Sequence, residues 1–205
     1  MIALFSLTWM QVRLWQNDYV LFSHAIQVVP QNHRAHMLMG LAFLRDGRTE
    51  EGFSHLRDAL RLRPDLPDNY VAVGNLLLKH GRTAEARDLF QSGLRVDPGM
   101  WYAHSNLGNI LLSEGNAADA IRHLREAVRL RPDDPKVLSG LGDACAATGQ
   151  IQEAMSLYER ALRLNPAMPE VHYNLGLLLA ARGRIDESIA HLREVRDCLR
   201  VRAGA

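Results

Sequence analysis

Residues 106–135 read NLGNILLSEGNAADAIRHLREAVRLRPDDP, and the glycines and the proline in this stretch recur at a fixed interval along the chain. Gly108, Gly115 and Pro132 each belong to a series in which the same residue returns at one constant spacing. The series are Gly40, Gly74, Gly108, Gly142 and Gly176; Gly47, Gly81, Gly115, Gly149 and Gly183; and Pro30, Pro64, Pro98, Pro132 and Pro166. Three series that share a period of about 34 residues indicate a repeat protein.

Each repeat has the pattern of two short helices joined by a tight turn. The second glycine ends the first helix, because glycine adopts left-handed backbone without a steric cost. The following segment carries an apolar stripe, and the proline stops it by pushing the preceding residue out of helical geometry. In residues 117–132 that stripe is Ala120, Ile121, Leu124, Ala127 and Val128. Asp134 and Pro135 then read as the N-cap and first-turn proline of the next helix.

One pair of short helices cannot bury both apolar faces, so successive units must stack on each other. The sequence therefore predicts an all-α solenoid, a right-handed superhelix of antiparallel helix pairs. We expect ten helices in five full units, at least one further helix before Pro30, and no strand. The predicted units are residues 33–66, 67–100, 101–134, 135–168 and 169–202, preceded by residues 1–32 as a partial repeat or a membrane-proximal stub.

The chain resembles the tetratricopeptide repeat (TPR) family at the positions of its leucine–glycine pair, its small and bulky second-helix residues and its closing proline. In the third unit these are Leu107, Gly108, Ala120, Leu124, Ala127 and Pro132. In the fourth unit they are Leu141, Gly142, Ala154, Tyr158, Ala161 and Pro166. The chain departs from the pattern where Gly52, Gly93, Ser188 and Val195 replace alanines and Arg200 replaces the last proline. The resemblance implies a non-catalytic scaffold that binds a protein or peptide partner.

The first residues leave two interpretations open. Residues 1–12 (MIALFSLTWMQV) carry no charge and are too short to span a bilayer. The junction that follows resembles that of bacterial polytopic membrane proteins with a C-terminal TPR tail, whose membrane part resembles protein O-mannosyltransferases. On that interpretation the membrane-embedded portion is missing from this chain, which is membrane-associated and recruits an acceptor. On the other, residues 1–12 form an apolar helix that caps the array of a soluble protein.

Composition and motifs give no support for catalysis or nucleic-acid binding. The formal net charge is +1, too small to favour a polyphosphate partner. No phosphate-binding loop or nucleophile motif is present, and Cys145 and Cys198 have no metal-ligand spacing. Histidines recur in every second repeat as His36, His104 and His172 and as His55, His123 and His191. Members of one series lie about 20 Å apart at the usual spacing of packed helices, so neither series forms a metal site. We therefore expect no enzyme activity, metal or cofactor.

In TPR proteins the first helices line a concave groove that holds the ligand. The resemblance therefore implies a ligand groove here that consists of Arg34, Asn75, Tyr102, Asn106, Asn109, Lys136, Asp143, Tyr173 and Asn174. Asparagine both donates to and accepts from a peptide backbone, so its four copies could hold an extended chain. They resemble a sparse version of the asparagine ladder of O-GlcNAc transferases. Gly140 interrupts the alternation between Asn106 and Asn174, which disfavours the carboxylate clamp of chaperone-tail receptors.

Overall fold

The computed structural model describes residues 18–203, and this part of the chain contains eleven α-helices and no strand. One helix precedes Pro30 and ten follow it, as the repeat pattern predicts. The helices are α1 (Asp18–Val28), α2 (His33–Arg45), α3 (Thr49–Leu62), α4 (Pro67–Lys79), α5 (Thr83–Val96), α6 (Trp101–Ser113), α7 (Ala117–Leu130), α8 (Pro135–Ala147), α9 (Ile151–Leu164), α10 (Pro169–Ala181) and α11 (Ile185–Ala203). The helix expected over residues 1–12 lies outside the described residues.

Contacts divide the chain into two compact units, of which the first ends at Val73 and the second begins at Gly74. In the first unit, α2 and α3 pack Met39 and Phe43 against Phe53 and Leu56, all of them buried. The N-terminal helix α1 adds Tyr19, whose ring lies 4.9 Å from that of Phe43. The Tyr19 hydroxyl donates a hydrogen bond to Asp46 Oδ2 at 2.6 Å and also lies 3.1 Å from the Ala42 carbonyl oxygen, which holds α1 against α2.

The second unit has a continuous core formed by one face of each helix pair. Its buried members include Ala120, Leu124, Leu138, Leu141, Tyr158, Ala161, Leu175 and Leu179. The predicted stripe on α7 faces this core, because Ala120, Ile121, Leu124 and Ala127 are all buried. The last helix is more open: Ile185 and Ile189 are 53% and 42% exposed.

The helix ends follow the local signals in the sequence. The glycine after each first helix has a positive φ, for example 81° at Gly115, and the series continues through Gly47, Gly81, Gly149 and Gly183. Asp134 caps α8 by accepting hydrogen bonds from the backbone N–H groups of Lys136 and Val137 at 2.9 and 3.2 Å. Pro135 follows as the first helical residue. These short connections make each helix pair antiparallel.

The glycines of the other series allow the two helices of a pair to approach closely. A Cβ atom at Gly108 would lie 2.6 Å from Leu124 Cγ, and one at Gly142 would lie 2.6 Å from Tyr158 Cε1. Gly176 is looser, since its Cβ would lie 3.4 Å from Leu192. Within residues 18–203 no helix combines the length and the apolar character needed to cross a lipid bilayer.

Candidate functional site

Two pairs of polar side chains join neighbouring first helices of the second unit. The Asn106 amide on α6 donates a hydrogen bond to Asn75 Oδ1 on α4 at 2.8 Å. The Asn174 amide on α10 donates to Asp143 Oδ1 on α8 at 3.0 Å. The partners in each pair are 31 residues apart, and the second pair lies two repeats after the first. We call each such pair a rung, so the filled rungs are Asn75–Asn106 and Asp143–Asn174.

The rung between these two is unfilled. Its positions are Asn109 on α6 and Gly140 on α8, and Gly140 has no side chain to donate. A Cβ atom at Gly140 would lie 2.9 Å from Asn109 Oδ1, so the asparagine amide lies directly over the glycine. Within the described part of the chain, no hydrogen bond to the exposed Asn109 side chain is found.

A surface cavity of about 540 Å³ opens at the unfilled rung. It is lined by Asn109, Leu112, Ser113, Lys136, Ser139, Gly140, Asp143, Met168, Glu170 and Val171. The lining combines an amide, an ammonium group, hydroxyls and carboxylates with apolar side chains. Such a surface offers both hydrogen bonds and apolar contact to a bound chain. A second cavity of about 380 Å³ shares Asp143 with the first and reaches Asn174.

Asp143 connects this surface to the core. Its Oδ1 accepts a hydrogen bond from the Tyr158 hydroxyl at 2.7 Å as well as the one from Asn174. Burial raises the pKa of Asp143, and the hydrogen bonds from Tyr158 and Asn174 oppose that effect. Tyr158 is 1% exposed, and both burial and its bond to Asp143 raise its pKa. Asp143 is therefore a fixed wall of the cavity, held by two donors.

The sequence matches the family model of the tetratricopeptide repeat at residues 20–67, 72–135, 107–169 and 139–200. These matches cover most of the chain. The chain belongs to the tetratricopeptide repeat family.

Solved structures of other TPR proteins share the fold. A MamA chain from Desulfovibrio magneticus RS-1 is 22% identical, with a TM-score of 0.73, over 82% of this chain and 96% of that one. YrrB, described as a TPR protein with an unusual peptide-binding site, is 21% identical with a TM-score of 0.71, over 86% and 91%. PilF of Pseudomonas aeruginosa is 23% identical with a TM-score of 0.70, over 81% and 76%. No curated protein matches the sequence.

The TPR units bring some of the predicted groove residues together and separate others. Asn109, Lys136 and Asp143 line the first cavity, and Asn174 lines the second. Tyr102 is partly buried and lies edge-on to Trp101, whose ring centroid is 5.4 Å away. Tyr173 is 49% exposed on α10. Arg34, also exposed, belongs to the first compact unit.

The TPR repeat also creates three histidine pairs that the sequence analysis missed. Each pair joins the first and second helix of one repeat across 19 residues, so it combines one member of each of the two histidine series. The Nδ1–Nδ1 distance is 3.1 Å for His36–His55 and 2.9 Å for both His104–His123 and His172–His191. The expectation of no metal site did not take this pairing into account.

The backbone fixes the tautomers of the second and third pairs. His104 Nε2 lies 3.2 Å from the Pro98 carbonyl, and His172 Nε2 lies 2.9 Å from the Pro166 carbonyl. A carbonyl only accepts, so these Nε2 atoms carry the proton and the Nδ1 atoms accept. His123 and His191 therefore donate through Nδ1. Burial lowers the pKa of His123 and His191, and the neighbouring histidine lowers it further.

Two titratable groups of the second unit, Cys145 and Asp143, are held by burial and by structural hydrogen bonds. Cys145 is buried, and burial raises its pKa to about 11, so the thiol stays protonated and unreactive near neutral pH. Asp143, the carboxylate that burial most affects, holds Tyr158 and Asn174 in structural hydrogen bonds. The geometry is that of a surface that presents hydrogen-bonding groups.

Proposed function

We propose that this protein is a non-catalytic TPR scaffold that binds an extended peptide segment of a partner protein at the unfilled rung, Asn109–Gly140. The observation that carries the proposal is the contrast between this rung and its neighbours. In the filled rungs a side-chain amide of the chain itself donates to the acceptor at the first position. At the unfilled rung the acceptor, Asn109 Oδ1, faces a glycine and a cavity.

A peptide backbone supplies the groups that this position lacks. A backbone N–H of the ligand donates to Asn109 Oδ1, replacing the amide that Asn106 and Asn174 provide elsewhere. The Asn109 amide in turn donates to a carbonyl of the same peptide, so one side chain holds both polarities of the backbone. The ammonium group of Lys136 attracts a carbonyl or carboxylate of the ligand, and Met168 contacts an apolar side chain.

Two further observations support a peptide partner. YrrB, which shares the fold, is described as having a peptide-binding site. The net charge of +1 and the scattered basic residues disfavour nucleic acid, whose binding depends on many phosphate contacts. The alternative of a membrane-embedded glycosyltransferase-like protein whose tail recruits an acceptor stays a prediction, since it rests on residues outside the described region.

The experiment is a selection of peptides from a random display library on the full chain, followed by fluorescence polarisation with the selected sequences. Asn109→Ala removes the proposed acceptor and donor. Gly140→Asn fills the rung with the residue found at the equivalent position 106. A neutral hydrogen bond contributes about 0.5–1.5 kcal/mol, or roughly 2- to 13-fold in affinity. We expect Asn109→Ala, which removes two such bonds, to weaken binding by about 10-fold or more, and Gly140→Asn to weaken it similarly.

Asn75→Ala is the matched control. It removes the same amide at the same repeat position, but from a rung that is already filled by Asn106. Selected peptides should bind this variant within about two-fold of the unaltered chain. If peptides bind Asn109→Ala and Gly140→Asn as well as they bind the unaltered chain, recognition lies elsewhere. If the library yields no binder, the peptide proposal is wrong.

A further inference from the structure

The first histidine pair differs from the other two by a carboxylate beside it. His36 lies on α2, and His55 and Asp58 lie three residues apart on α3 and so share a face of that helix. His36 Nδ1 lies 3.1 Å from His55 Nδ1 and 3.9 Å from Asp58 Oδ2. One ligand atom from each of the three side chains lies within 4.8 Å of the other two. Within residues 18–203 this is the one group of three such side chains so placed.

We propose that His36, His55 and Asp58 form a binding site for Zn²⁺, with water completing the coordination. Bonds of about 2.0–2.1 Å in a tetrahedral Zn²⁺ site hold the ligand atoms about 3.3 Å apart. The two distances from His36 Nδ1, 3.1 and 3.9 Å, bracket that value. Two imidazoles with one carboxylate favour Zn²⁺ over Mg²⁺ or Ca²⁺, which prefer oxygen ligands.

The surroundings hold the three side chains in place. His36 is 8% exposed, so packing restricts its ring. The His55 ring stacks on Phe43 with centroids 5.4 Å apart and planes 16° from parallel. Asp58 Oδ1 accepts a hydrogen bond from Arg61 at 3.1 Å, which leaves Oδ2 as the atom facing His36. Coordination of one Zn²⁺ ion requires the ligand atoms, now within 4.8 Å of one another, to close to about 3.3 Å.

The second histidine pair provides the internal comparison. Glu126 occupies the position equivalent to Asp58 two repeats later, beside His104 and His123. Both oxygens of Glu126 accept hydrogen bonds from Arg129, at 2.6 and 2.9 Å. This carboxylate is therefore engaged by the guanidinium, and the pair has two imidazoles without a third ligand facing them. The Zn²⁺ site with the highest affinity therefore belongs to the first pair.

The test titrates Zn²⁺ into the full chain by isothermal titration calorimetry, with Asp58→Asn as the variant and Glu126→Gln as its matched control. Outer-shell changes alone cost about 10- to 100-fold in metal affinity, so loss of a ligand should cost at least 10-fold. We expect the tightest site to weaken by that factor in Asp58→Asn and to stay unchanged in Glu126→Gln. Ca²⁺ at the same concentrations should give no heat from this site.

Melting temperatures supply a second readout that does not depend on equal stability of the variants. A ligand that binds the folded state raises its melting temperature, so each variant is compared with itself with and without Zn²⁺. The increase should be smaller in Asp58→Asn than in Glu126→Gln. Equal affinities in the two variants, or no binding of Zn²⁺ by the unaltered chain, would overturn the proposal.

Discussion

Replacing Gly142 with alanine tests the close approach of helices on which the fold depends. The new Cβ atom would lie 2.6 Å from Tyr158 Cε1 and 2.8 Å from Cδ1, distances that real contacts do not show. Tyr158 is held in place, since it is 1% exposed and its hydroxyl donates to Asp143 at 2.7 Å, so a displaced ring would disturb that hydrogen bond. Gly176 occupies the same repeat position, but its Cβ would lie 3.4 Å from Leu192, an ordinary contact.

The change in the free energy of unfolding on replacing glycine with alanine is the balance of opposing effects. Alanine is favoured over glycine in a helix by about 0.5–1 kcal/mol. Overpacking a buried site costs about 1–3 kcal/mol, and a disturbed hydrogen bond to a charged group costs about 1.5–3 kcal/mol. Gly142→Ala should therefore destabilise the chain by about 1.5–5.5 kcal/mol, whereas Gly176→Ala should stabilise it by about 0.5–1 kcal/mol. For a protein of this size each kcal/mol shifts the melting temperature by roughly 2–4 °C.

The assay is thermal unfolding followed by circular dichroism in the far ultraviolet, with urea unfolding as a second measure. Gly142→Ala should melt roughly 3–22 °C below the unaltered chain, and Gly176→Ala should melt slightly above it. If Gly142→Ala melts at or above the unaltered chain, the contact between Gly142 and Tyr158 is not as close as described. If the melting temperatures of both variants fall equally, the two helices of a pair lie equally close at Gly142 and at Gly176, and the reasoning is refuted.

Three further predictions concern packing, pH and thiol reactivity. Ala120→Leu should destabilise the chain by about 1–3 kcal/mol, because Ala120 is fully buried. Ala117→Leu changes a partly exposed position and should melt at a higher temperature than Ala120→Leu. Equal melting temperatures would mean that the buried stripe of α7 is assigned to the wrong face. His123 and His191 have pKa values below their usual 6.5, so the unfolded chain takes up more protons and stability should fall as pH drops below about 6.5. Urea midpoints at pH 7.5 and pH 5 test this, and a double change of both histidines to Gln should reduce the difference. Cys145, with its pKa of about 11, should resist a disulfide reagent at pH 7.5 until the chain unfolds.

The fold could be predicted from the sequence because its signals act locally. Gly115 requires a left-handed backbone, Asp134 caps the helix that follows it, and each effect is decided within a few residues of the signal. Repetition of these signals at one period then leaves little choice of architecture. The same logic identified the buried stripe of α7, since helical periodicity alone decides which face is apolar.

The candidate site could be predicted only in part, because its decisive contacts join residues that are distant in sequence. Asn106 and Asn174 are peptide ligands in the groove that the sequence predicts, yet each amide already donates to a neighbouring helix. Those hydrogen bonds span 31 residues and depend on how the units stack. Gly140 carries a usable signal in the sequence, since it breaks the alternation of asparagines, and the same break that disfavours a carboxylate clamp also leaves Asn109 opposite a glycine.

In the second unit, the filled rungs and the histidine pairs each recur every two repeats. This alternation affects how many peptides the proposed site can hold. Rung acceptors in filled rungs lie on α4 and α8, whereas the paired histidines His104 and His172 lie on α6 and α10. The helix α6 therefore carries both His104, one member of a histidine pair, and Asn109, the rung acceptor of the described second unit that faces a glycine. In a filled rung, one N–H of the second residue's amide and the acceptor at the first position are already engaged with each other. Under the proposed function, the described part of the second unit therefore has one rung with an unfilled acceptor, Asn109, and we expect a titration with a selected peptide to give one bound peptide per chain.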